Sequence, residues 1–399
     1  MKTTKTPLNN AARILPVYSS DTAGVCSVLF ELGGLTVVHD ASGCNSTYST
    51  HDEPRWYDTE SMVYITGLTE MEAVLGGDAR FLDSVSNAAS RLQPAFIAIC
   101  GSPMPAMIGT DFAGLARELE ARCGVPVLAP RPNGIRSYLH GAGEALAALV
   151  DRFCPERPKT RELSCNLLGA TPLDFGVNGT IEAIRAWAEA AGFRVLSCMA
   201  MGSRLAEIAE AAGAHVNLVL SAAGLPAARL LYERFGTPFV TGVPFGRFGH
   251  DYAEDLAEAL HEAAFVGDCS VPCGRRTGQG MSDSLLIVGE AVSAASLSCA
   301  LERETGLLAR VLAPIDGPAL PKWVLVPGDR AEENEDLTTE LFEWSLEVIA
   351  DPLYRPLCPA SVPFRPLPHV AFSGRCFLKD MPVLTGRPLA GWLREACGV

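Results

Sequence analysis

The sequence predicts an α/β protein built from three doubly wound, Rossmann-like domains with mainly parallel sheets around a central cavity. Short, continuously apolar runs alternate with longer amphipathic segments along almost all of the 399 residues. Strands that are apolar on both faces are typical of parallel sheets covered by helices on each side. Because parallel strands need long crossovers, the strand–helix alternation indicates doubly wound units.

The individual elements follow from this alternation. Apolar runs rich in β-branched residues predict strands, and patterns with helical spacing fill the intervals between them. The strands are predicted at residues 34–39, 95–100, 125–129, 166–169, 194–198, 216–220, 238–241, 285–289, 310–313, 323–326 and 369–372. The clearest helical patterns lie at residues 180–191, 223–235, 252–265 and 291–304.

Two polar stretches divide the chain. Residues 154–160 are polar and contain proline, and residues 269–284 are rich in Gly, Arg, Ser and Thr. Composition shifts of this kind mark domain boundaries. We therefore expect an N-terminal domain at residues 1–155, a second at 156–275 and a third at 276–399.

Composition excludes several classes of function. The net charge of −14 argues against a nucleic-acid partner, because phosphates attract basic surfaces. No apolar run reaches the roughly 18 residues that a membrane span needs. The N-terminus, Met1-Lys2-Thr3-Thr4-Lys5, is not followed by the apolar core of a signal peptide. We expect a cytoplasmic protein in which most of the 13 cysteines are small buried hydrophobes.

Three cysteines lie where apolar runs meet turns. Cys26 follows Gly24 near an expected helix start, Cys44 follows the first strand, and Cys100 ends the second. Ligands gather at the carboxyl ends of strands in open α/β sheets, and helix N-termini favour thiolates. The spacing matches no ferredoxin or zinc-finger pattern and by itself favours ordinary buried thiols. If the three thiolates converge, they form a three-legged seat for an iron–sulfur cluster, whose fourth ligand would be a carboxylate or a partner's group.

Several segments carry a resemblance to a known family. Residues 68–77, Leu-Thr-Glu-Met-Glu-Ala-Val-Leu-Gly-Gly, lie between the second and third of these cysteines. They resemble a segment of nitrogenase component 1 proteins, as do residues 43–44 around Cys44 and residues 100–111 after Cys100. Further similarity falls at residues 173–175, 214–220 and 232–239. The family includes nitrogenase, dark-operative protochlorophyllide reductase, chlorophyllide reductase, the reductase of nickel-tetrapyrrole biosynthesis, and cofactor-assembly scaffolds.

The resemblance implies a cofactor and two partners. Cys26, Cys44 and Cys100 would ligate a 4Fe-4S cluster, or half of a P-cluster-like cluster, at a subunit interface. The second component 1-like subunit would be another copy of this chain (a homodimer) or a different chain (a heterodimer). The chain has no Gly-x4-Gly-Lys-Ser/Thr motif for nucleotide phosphates. Its electrons would therefore come from a separate ATP-dependent iron-protein-type reductase. By the same resemblance, Glu70 and Asp111 would be structural acids or would support the cluster ligands from behind.

The chain departs from nitrogenase at the metal cofactor. Ser221 stands where the catalytic chain of nitrogenase has a cysteine ligand, and serine is a poor ligand for soft metals. His369 is interpreted as a strand start. These departures argue against dinitrogen reduction at a cofactor held by this chain. Other candidates for cavity or metal contacts are Cys198, Arg247, His250, Cys269, Cys273, Cys376 and Lys379.

Three functional hypotheses remain open from the sequence. The favoured one is an electron-relaying reductase subunit that acts on an unidentified substrate. The alternative is a non-catalytic scaffold that holds a maturing metal cluster and hands it on. A third is a plain α/β ligand-binding protein with buried thiols.

Overall fold

The computed structural model describes residues 12–15, 20–41, 53–276, 284–322, 324–332 and 334–395. Three sheets follow one another along the chain, with four, four and five strands. All strand pairs within these sheets are parallel, and helices connect most successive strands. The predicted doubly wound α/β class is therefore confirmed. None of the described helices combines the length and the apolar character needed to cross a bilayer.

The first sheet has the strand order β2-β1-β3-β4. Its strands are β1 (Leu35–Val38), β2 (Met62–Ile65), β3 (Ile97–Cys100) and β4 (Val127–Leu128). Its helices are α1 (Asp21–Leu29), α2 (Glu70–Leu75), α3 (Asp78–Leu92), α4 (Pro103–Ile108), α5 (Phe112–Cys123) and α6 (Tyr138–Phe153). The sequence missed β2, a half-exposed edge strand without the continuous burial of β1 and β3. Asp111 is structural, as expected, because its carboxylate caps α5 by accepting from the Gly114 N–H at 2.9 Å.

The second sheet has the order β6-β5-β7-β8. Its strands are β5 (Ser164–Leu168), β6 (Arg194–Cys198), β7 (Val216–Val219) and β8 (Phe239–Thr241). Its helices are α7 (Pro172–Phe175), α8 (Thr180–Ala190), α9 (Leu205–Ile208), α10 (Leu225–Phe235) and α11 (Asp251–Val266). Each predicted strand of this unit has a counterpart here, with boundaries that shift by one or two residues.

The third sheet has the order β11-β10-β9-β12-β13. Its strands are β9 (Leu285–Val288), β10 (Ala309–Ala313), β11 (Arg330–Ala331), β12 (Glu347–Ala350) and β13 (Phe364–Pro366). Its helices are α12 (Ala291–Thr305), α13 (Glu335–Glu343), α14 (Val370–Ser373) and α15 (Leu389–Arg394). Short 3-10 turns of the chain lie at Ala211–Gly213, Ala222–Gly224, Pro272–Arg275, Pro352–Leu357 and Leu378–Asp380.

Two strand predictions in the third sheet are wrong. Residues 324–326 form no strand, and residues 369–372 lie in the helical turn α14 with His369 as its N-cap. A short apolar run fits a strand or a buried helical turn equally well, and tertiary contacts decide between them. The sequence missed the strands β11, β12 and β13. The sheets fall within the three expected domain ranges, but the boundaries after residues 155 and 275 remain a prediction.

Helices α1 and α6 cross with their backbones in contact. A Cβ atom on Gly24 would lie 2.1 Å from the Tyr138 carbonyl oxygen, and one on Gly141 would lie 1.7 Å from that of Asp21. Only glycine fits at these two positions, because real Cβ atoms do not approach so closely. All nine residues of α1 are consequently buried.

We predict that Gly141→Ala weakens the fold through this crossing. The added methyl group must push α1 away, and overpacking of this kind costs roughly 1–3 kcal/mol or more in the free energy of unfolding. Urea unfolding followed by circular dichroism measures the loss. Gly391→Ala is the matched control, because a Cβ there meets no atom within 4 Å. Equal stability of the two variants would contradict the close crossing.

Candidate functional site

The structure brings two of the three candidate cysteines together. Cys26 lies on α1 and Cys100 is the last residue of β3, and both are buried. Their thiols are close enough to hydrogen bond to each other. The Cys100 Sγ also lies 3.7 Å from the Val37 carbonyl oxygen. Cys44 falls outside the described residues, so the convergence of all three thiols remains a prediction.

The Cys100 thiol resists the loss of its proton. The hydrogen bond with Cys26 and burial raise the pKa of the Cys100 thiol well above its ordinary value, and the Asp21 carboxylate adds to the effect. Thiolates become stable here only when a positive metal centre replaces the protons. Sulfur ligands in a buried setting suit iron–sulfur chemistry. Among the described residues, no three His, Cys, Asp or Glu side chains are grouped to hold a metal ion.

Asp21 fixes the start of the helix that carries Cys26. Its side chain is fully buried and accepts from the backbone N–H groups of Asn133 at 2.8 Å and Gly134 at 2.7 Å. Arg136 adds a contact from Nε at 3.3 Å. Thr22 donates its hydroxyl to the Gly101 carbonyl oxygen at 3.0 Å, which ties α1 to the residue after Cys100. These contacts fix the position of α1, which carries Cys26, relative to the end of β3, which carries Cys100.

A buried arginine joins the same helix to the second sheet. Arg55 donates to the Ser27 carbonyl oxygen at 2.6 Å and to the Ala200 carbonyl oxygen at 2.7 Å. The carboxylates of Glu53 and Glu31 neutralise it at 2.7 and 3.0 Å. Charge-assisted hydrogen bonds of this kind are stronger than neutral ones. The sequence analysis did not single out Arg55, because no local pattern reveals which long-range carbonyls an arginine will meet.

An exposed apolar surface adjoins the thiol pair. Helix α4 begins three residues after Cys100, and it contacts α2. Helix α2 is firmly formed, since Thr69 and Glu72 make a capping box at its start. We define the apolar patch as the exposed residues of these two helices: Met71, Val74, Leu75, Met104, Met107 and Ile108. Exposed apolar side chains gathered on two contacting helices are typical of an interaction site.

A pocket lies at the carboxyl ends of strands from the second and third sheets. Its cavity volume is about 70 Å³. Three titratable side chains face it, Asp174, Glu290 and His369. Ligand sites of doubly wound folds form at such strand ends. Most of the remaining wall is apolar, including Phe175, Phe245, Ile287, Leu297, Met381 and Leu384.

Glu290 is a buried carboxyl that caps α12. Its two oxygens accept from the backbone N–H groups of Ala222 at 3.0 Å and Ser293 at 2.9 Å. Burial, followed by the nearby charge of Asp174, raises the pKa of Glu290 to about 7. No described lysine or arginine forms an ion pair with Glu290 or Asp174. The pocket therefore contains a carboxylic acid that titrates near neutral pH.

Asp174 and His369 face each other in the same pocket. The Asp174 carboxylate accepts from the Tyr138 hydroxyl and, at 3.0 Å, from the Thr171 hydroxyl. His369 Nε2 lies 3.3 Å from Asp174 Oδ1, but the angle is unsuited to a hydrogen bond. Both ring nitrogens of His369 are buried without a hydrogen-bond partner. The His369 backbone N–H donates to Asp351 at 2.7 Å, which holds the ring at the pocket wall.

The other sequence candidates lie elsewhere. The Ser221 hydroxyl is buried and donates to the Gly169 carbonyl oxygen at 2.7 Å, a structural role. Arg247 and His250 are exposed, and from their loop it is Phe245 that lines the pocket. The remaining candidates are spread over the molecule: Cys198 and Cys273 are buried, whereas Cys269 and Cys376 are exposed. Glu290 and Asp174 were missed, although the position of Glu290 just after an expected strand was an available signal.

Comparison with known proteins defines the class. The model of the family described as nitrogenase component 1 type oxidoreductase matches residues 21–266. The chain therefore belongs to the nitrogenase component 1 type oxidoreductase family. The match begins at Asp21 and spans the segments that carry Cys26, Cys100 and Asp174.

Individual relatives fall into two functional groups. The chain is 29% identical over 221 residues to the nitrogenase iron-molybdenum cofactor biosynthesis protein NifE of Klebsiella pneumoniae, covering 51% of this chain and 46% of that protein. It is 31% identical over 176 residues to a subunit of the light-independent protochlorophyllide reductase of Cereibacter sphaeroides, covering 43% of this chain and 33% of that protein. The alignments thus span less than half the length of these curated relatives.

Solved structures support the fold. A chain of nitrogenase Cp1 at pH 5 superposes with a TM-score of 0.62 at 14% identity, covering 93% of this chain and 88% of that chain. A chain of the same protein at pH 6.5 gives a TM-score of 0.57 at 16% identity, covering 78% and 64%. At this level of identity, the likeness concerns the architecture alone.

We predict that Glu290 makes the stability of the protein depend on pH. Its pKa is raised in the folded state, so its protonation stabilises the fold at low pH, and that contribution is lost as pH rises from about 4.5 to about 7. The loss is on the order of 3 kcal/mol. Urea unfolding between pH 5 and 8 should show this decline in the wild-type protein.

The decline should be largely absent in Glu290→Gln, whose amide does not titrate. Burial also raises the pKa of Asp351, which stabilises in the same direction in both proteins, so the difference between the two profiles isolates Glu290. Glu258→Gln, at an exposed position on α11, should keep the wild-type profile. Identical profiles for all three proteins would show that Glu290 is charged in the fold.

Proposed function

We propose that this chain is a subunit of a nitrogenase-like reductase. Cys26, Cys44 and Cys100 would hold an iron–sulfur cluster, through which the chain would receive electrons from an ATP-dependent iron-protein-type reductase. The electrons pass to a substrate in the pocket lined by Asp174 and Glu290. The observation that carries the proposal is the approach of the Cys26 and Cys100 thiols at the carboxyl edge of the first sheet. Family membership supports the same chemistry.

The protein supplies a rigid and buried seat for the cluster. Cys26 is held by a helix whose backbone touches α6, and Cys100 by the end of a central strand. Burial lowers the dielectric around the ligands and, with hydrogen bonds to sulfur, tunes a cluster's potential. When bound, the cluster supplies one-electron redox chemistry, which the side chains of this fold do not provide.

A second component 1-like subunit fits the apolar patch. The patch follows Cys100 along the chain, so a partner seated on it would cover the cluster edge. Such a partner could also supply a missing ligand, since only three cysteines of this chain are proposed. We propose that the patch is this subunit interface, formed with another copy of the chain or with a different chain.

The alternative function is a scaffold for metal-cluster assembly. It is favoured by the similarity to NifE, which is named for iron-molybdenum cofactor biosynthesis. The donors in the pocket support the reductase instead. Among its described lining residues there is no cysteine, and His369 and Met381 are the softest donors present. Carboxylic acids in an apolar wall suit an organic substrate that takes up protons better than a metal–sulfur cargo.

We predict that removal of any one proposed cysteine ligand abolishes cluster binding. Wild-type protein purified without oxygen should contain iron and acid-labile sulfide, with an EPR signal on reduction. Cys26→Ala, Cys44→Ala and Cys100→Ala should each lose most of the iron, because a cluster held by fewer thiolates dissociates. Iron and sulfide analysis with EPR measures the loss.

Cys165→Ala is the matched control for these variants. Cys165 is equally buried but lies on β5 in the second sheet, so its removal should leave the iron content unchanged. Colourless wild-type protein after reconstitution would refute the cluster. Cluster transfer to a metal-free acceptor would distinguish the scaffold, since a reductase keeps its iron during turnover. Neighbouring genes for cofactor maturation would also favour the scaffold, whereas an iron-protein gene alone would favour the reductase.

We predict that a charge in the apolar patch disrupts subunit association. Met107 is 84% exposed, and Met107→Glu would bury a carboxylate in the proposed interface. Association should weaken at least about tenfold, which corresponds to about 1.4 kcal/mol. Sedimentation velocity measures the change. Phe265→Glu, at an exposed position at the end of α11, is the control. A monomeric wild-type chain would exclude the homodimer, and an unaffected Met107→Glu oligomer would exclude the patch.

A further inference from the structure

The pocket between the second and third sheets contains an acid–base cluster that electron delivery alone does not require. Asp174, Glu290 and His369 are the titratable side chains among its described lining residues, and they come from three separated segments of the chain. Asp174 lies after β5, Glu290 after β9 and His369 after β13. The fold therefore gathers them at one place, where the surrounding wall is mainly apolar.

The cluster is poor in positive charge. Glu290 receives two backbone N–H groups but no described arginine or lysine, and Asp174 receives two hydroxyl groups. Two carboxylates that share a buried site without a cation cannot both ionise cheaply. Both carboxyl groups are buried, so one of them retains a proton, and Glu290, whose pKa burial raises to about 7, is the holder.

His369 completes the cluster. Its Nε2 lies 3.3 Å from Asp174 Oδ1, and both of its ring nitrogens are buried without a hydrogen-bond partner. Tyr138 on α6 closes the far side of Asp174, and Asp351 holds the His369 backbone from behind. These are the titratable groups that face the pair from the packed elements.

We propose that Glu290 is the proton donor of this pocket and that Asp174 keeps it protonated. The proposal rests on the proposed reductase function. In each step, the substrate gains one electron from the iron–sulfur reductase through the cluster. The Glu290 O–H bond breaks and its proton bonds to the substrate atom. Glu290 remains as a carboxylate until it takes up a proton from solvent, so each electron is matched by one proton.

The protonated acid can be observed without substrate or cluster. Infrared spectroscopy in heavy water follows the carbonyl band of protonated carboxyl groups as pH rises from 5 to 9. Wild-type protein should show a band that disappears around neutral pH, and Glu290→Gln should lack it. Glu258→Gln, with an exposed carboxyl on α11, should retain it. A wild-type protein without a band that titrates above pH 6, or a band that persists in Glu290→Gln, would overturn the proposal.

A second variant tests the role of Asp174, and also serves if Glu290→Gln does not fold. Asp174→Asn removes the like charge, so the pH midpoint at which the band disappears should fall by at least one unit. This shift corresponds to a tenfold lower proton affinity of Glu290. An unchanged midpoint would overturn the role given to Asp174.

Access from the pocket is tested by an apolar carbodiimide. The Glu290 oxygen bonds to the carbodiimide carbon and its proton moves to nitrogen, so only the protonated acid reacts. Peptide mass spectrometry should find Glu290 labelled below pH 7 and progressively less labelled above it. Labelling that does not depend on pH, or no labelling at Glu290, would overturn the proposal that Glu290 donates a proton into the pocket.

The outcomes separate the two proposals. A titrating Glu290 in a protein that never binds iron would refute the reductase and leave the acid site standing. Iron bound by Cys26 and Cys100 together with a Glu290 that is charged at pH 6 would refute only the proton donor.

Discussion

The contact between the backbones of α1 and α6 is the constraint on which the site depends. Gly24 and Gly141 let the two helices approach until carbonyl oxygens take the place of side chains. This closeness buries α1 on all sides and sets Cys26 against Cys100. The same helix α6 begins at Tyr138, whose hydroxyl reaches Asp174 in the pocket. One crossing therefore determines the positions of both the thiol pair and an acid of the pocket.

The thiol pair and the pocket solve similar electrostatic problems by different means. The Cys100 thiol stays neutral near Asp21 because its hydrogen bond with Cys26 and its burial disfavour the thiolate. In the pocket, a proton rather than a metal relieves the repulsion between two carboxyl groups. Residues Cys26, Cys100, Tyr138, Leu173 and Val370 belong to one continuous hydrophobic core. The two sites are thus joined by tightly packed apolar side chains rather than by solvent.

Sequence reasoning predicted the features that local pattern determines. The parallel α/β class and most central strands follow from continuous apolar runs, and Cys26 and Cys100 were placed at ligand edges by position alone. It failed where a few residues take their conformation from distant contacts. His369 starts a helical turn because Asp351, 18 residues away, accepts its N–H. Arg55, Asp174 and Glu290 acquire their roles from burial and from carbonyls or charges on other domains, which no single segment reveals.

The Glu290 carboxyl group has two roles. It is the titratable acid of the pocket, and it also caps the first turn of α12 by accepting from the Ser293 N–H. A charged acceptor makes a stronger hydrogen bond than a neutral one. Release of the proton therefore tightens the first turn of α12, and uptake loosens it.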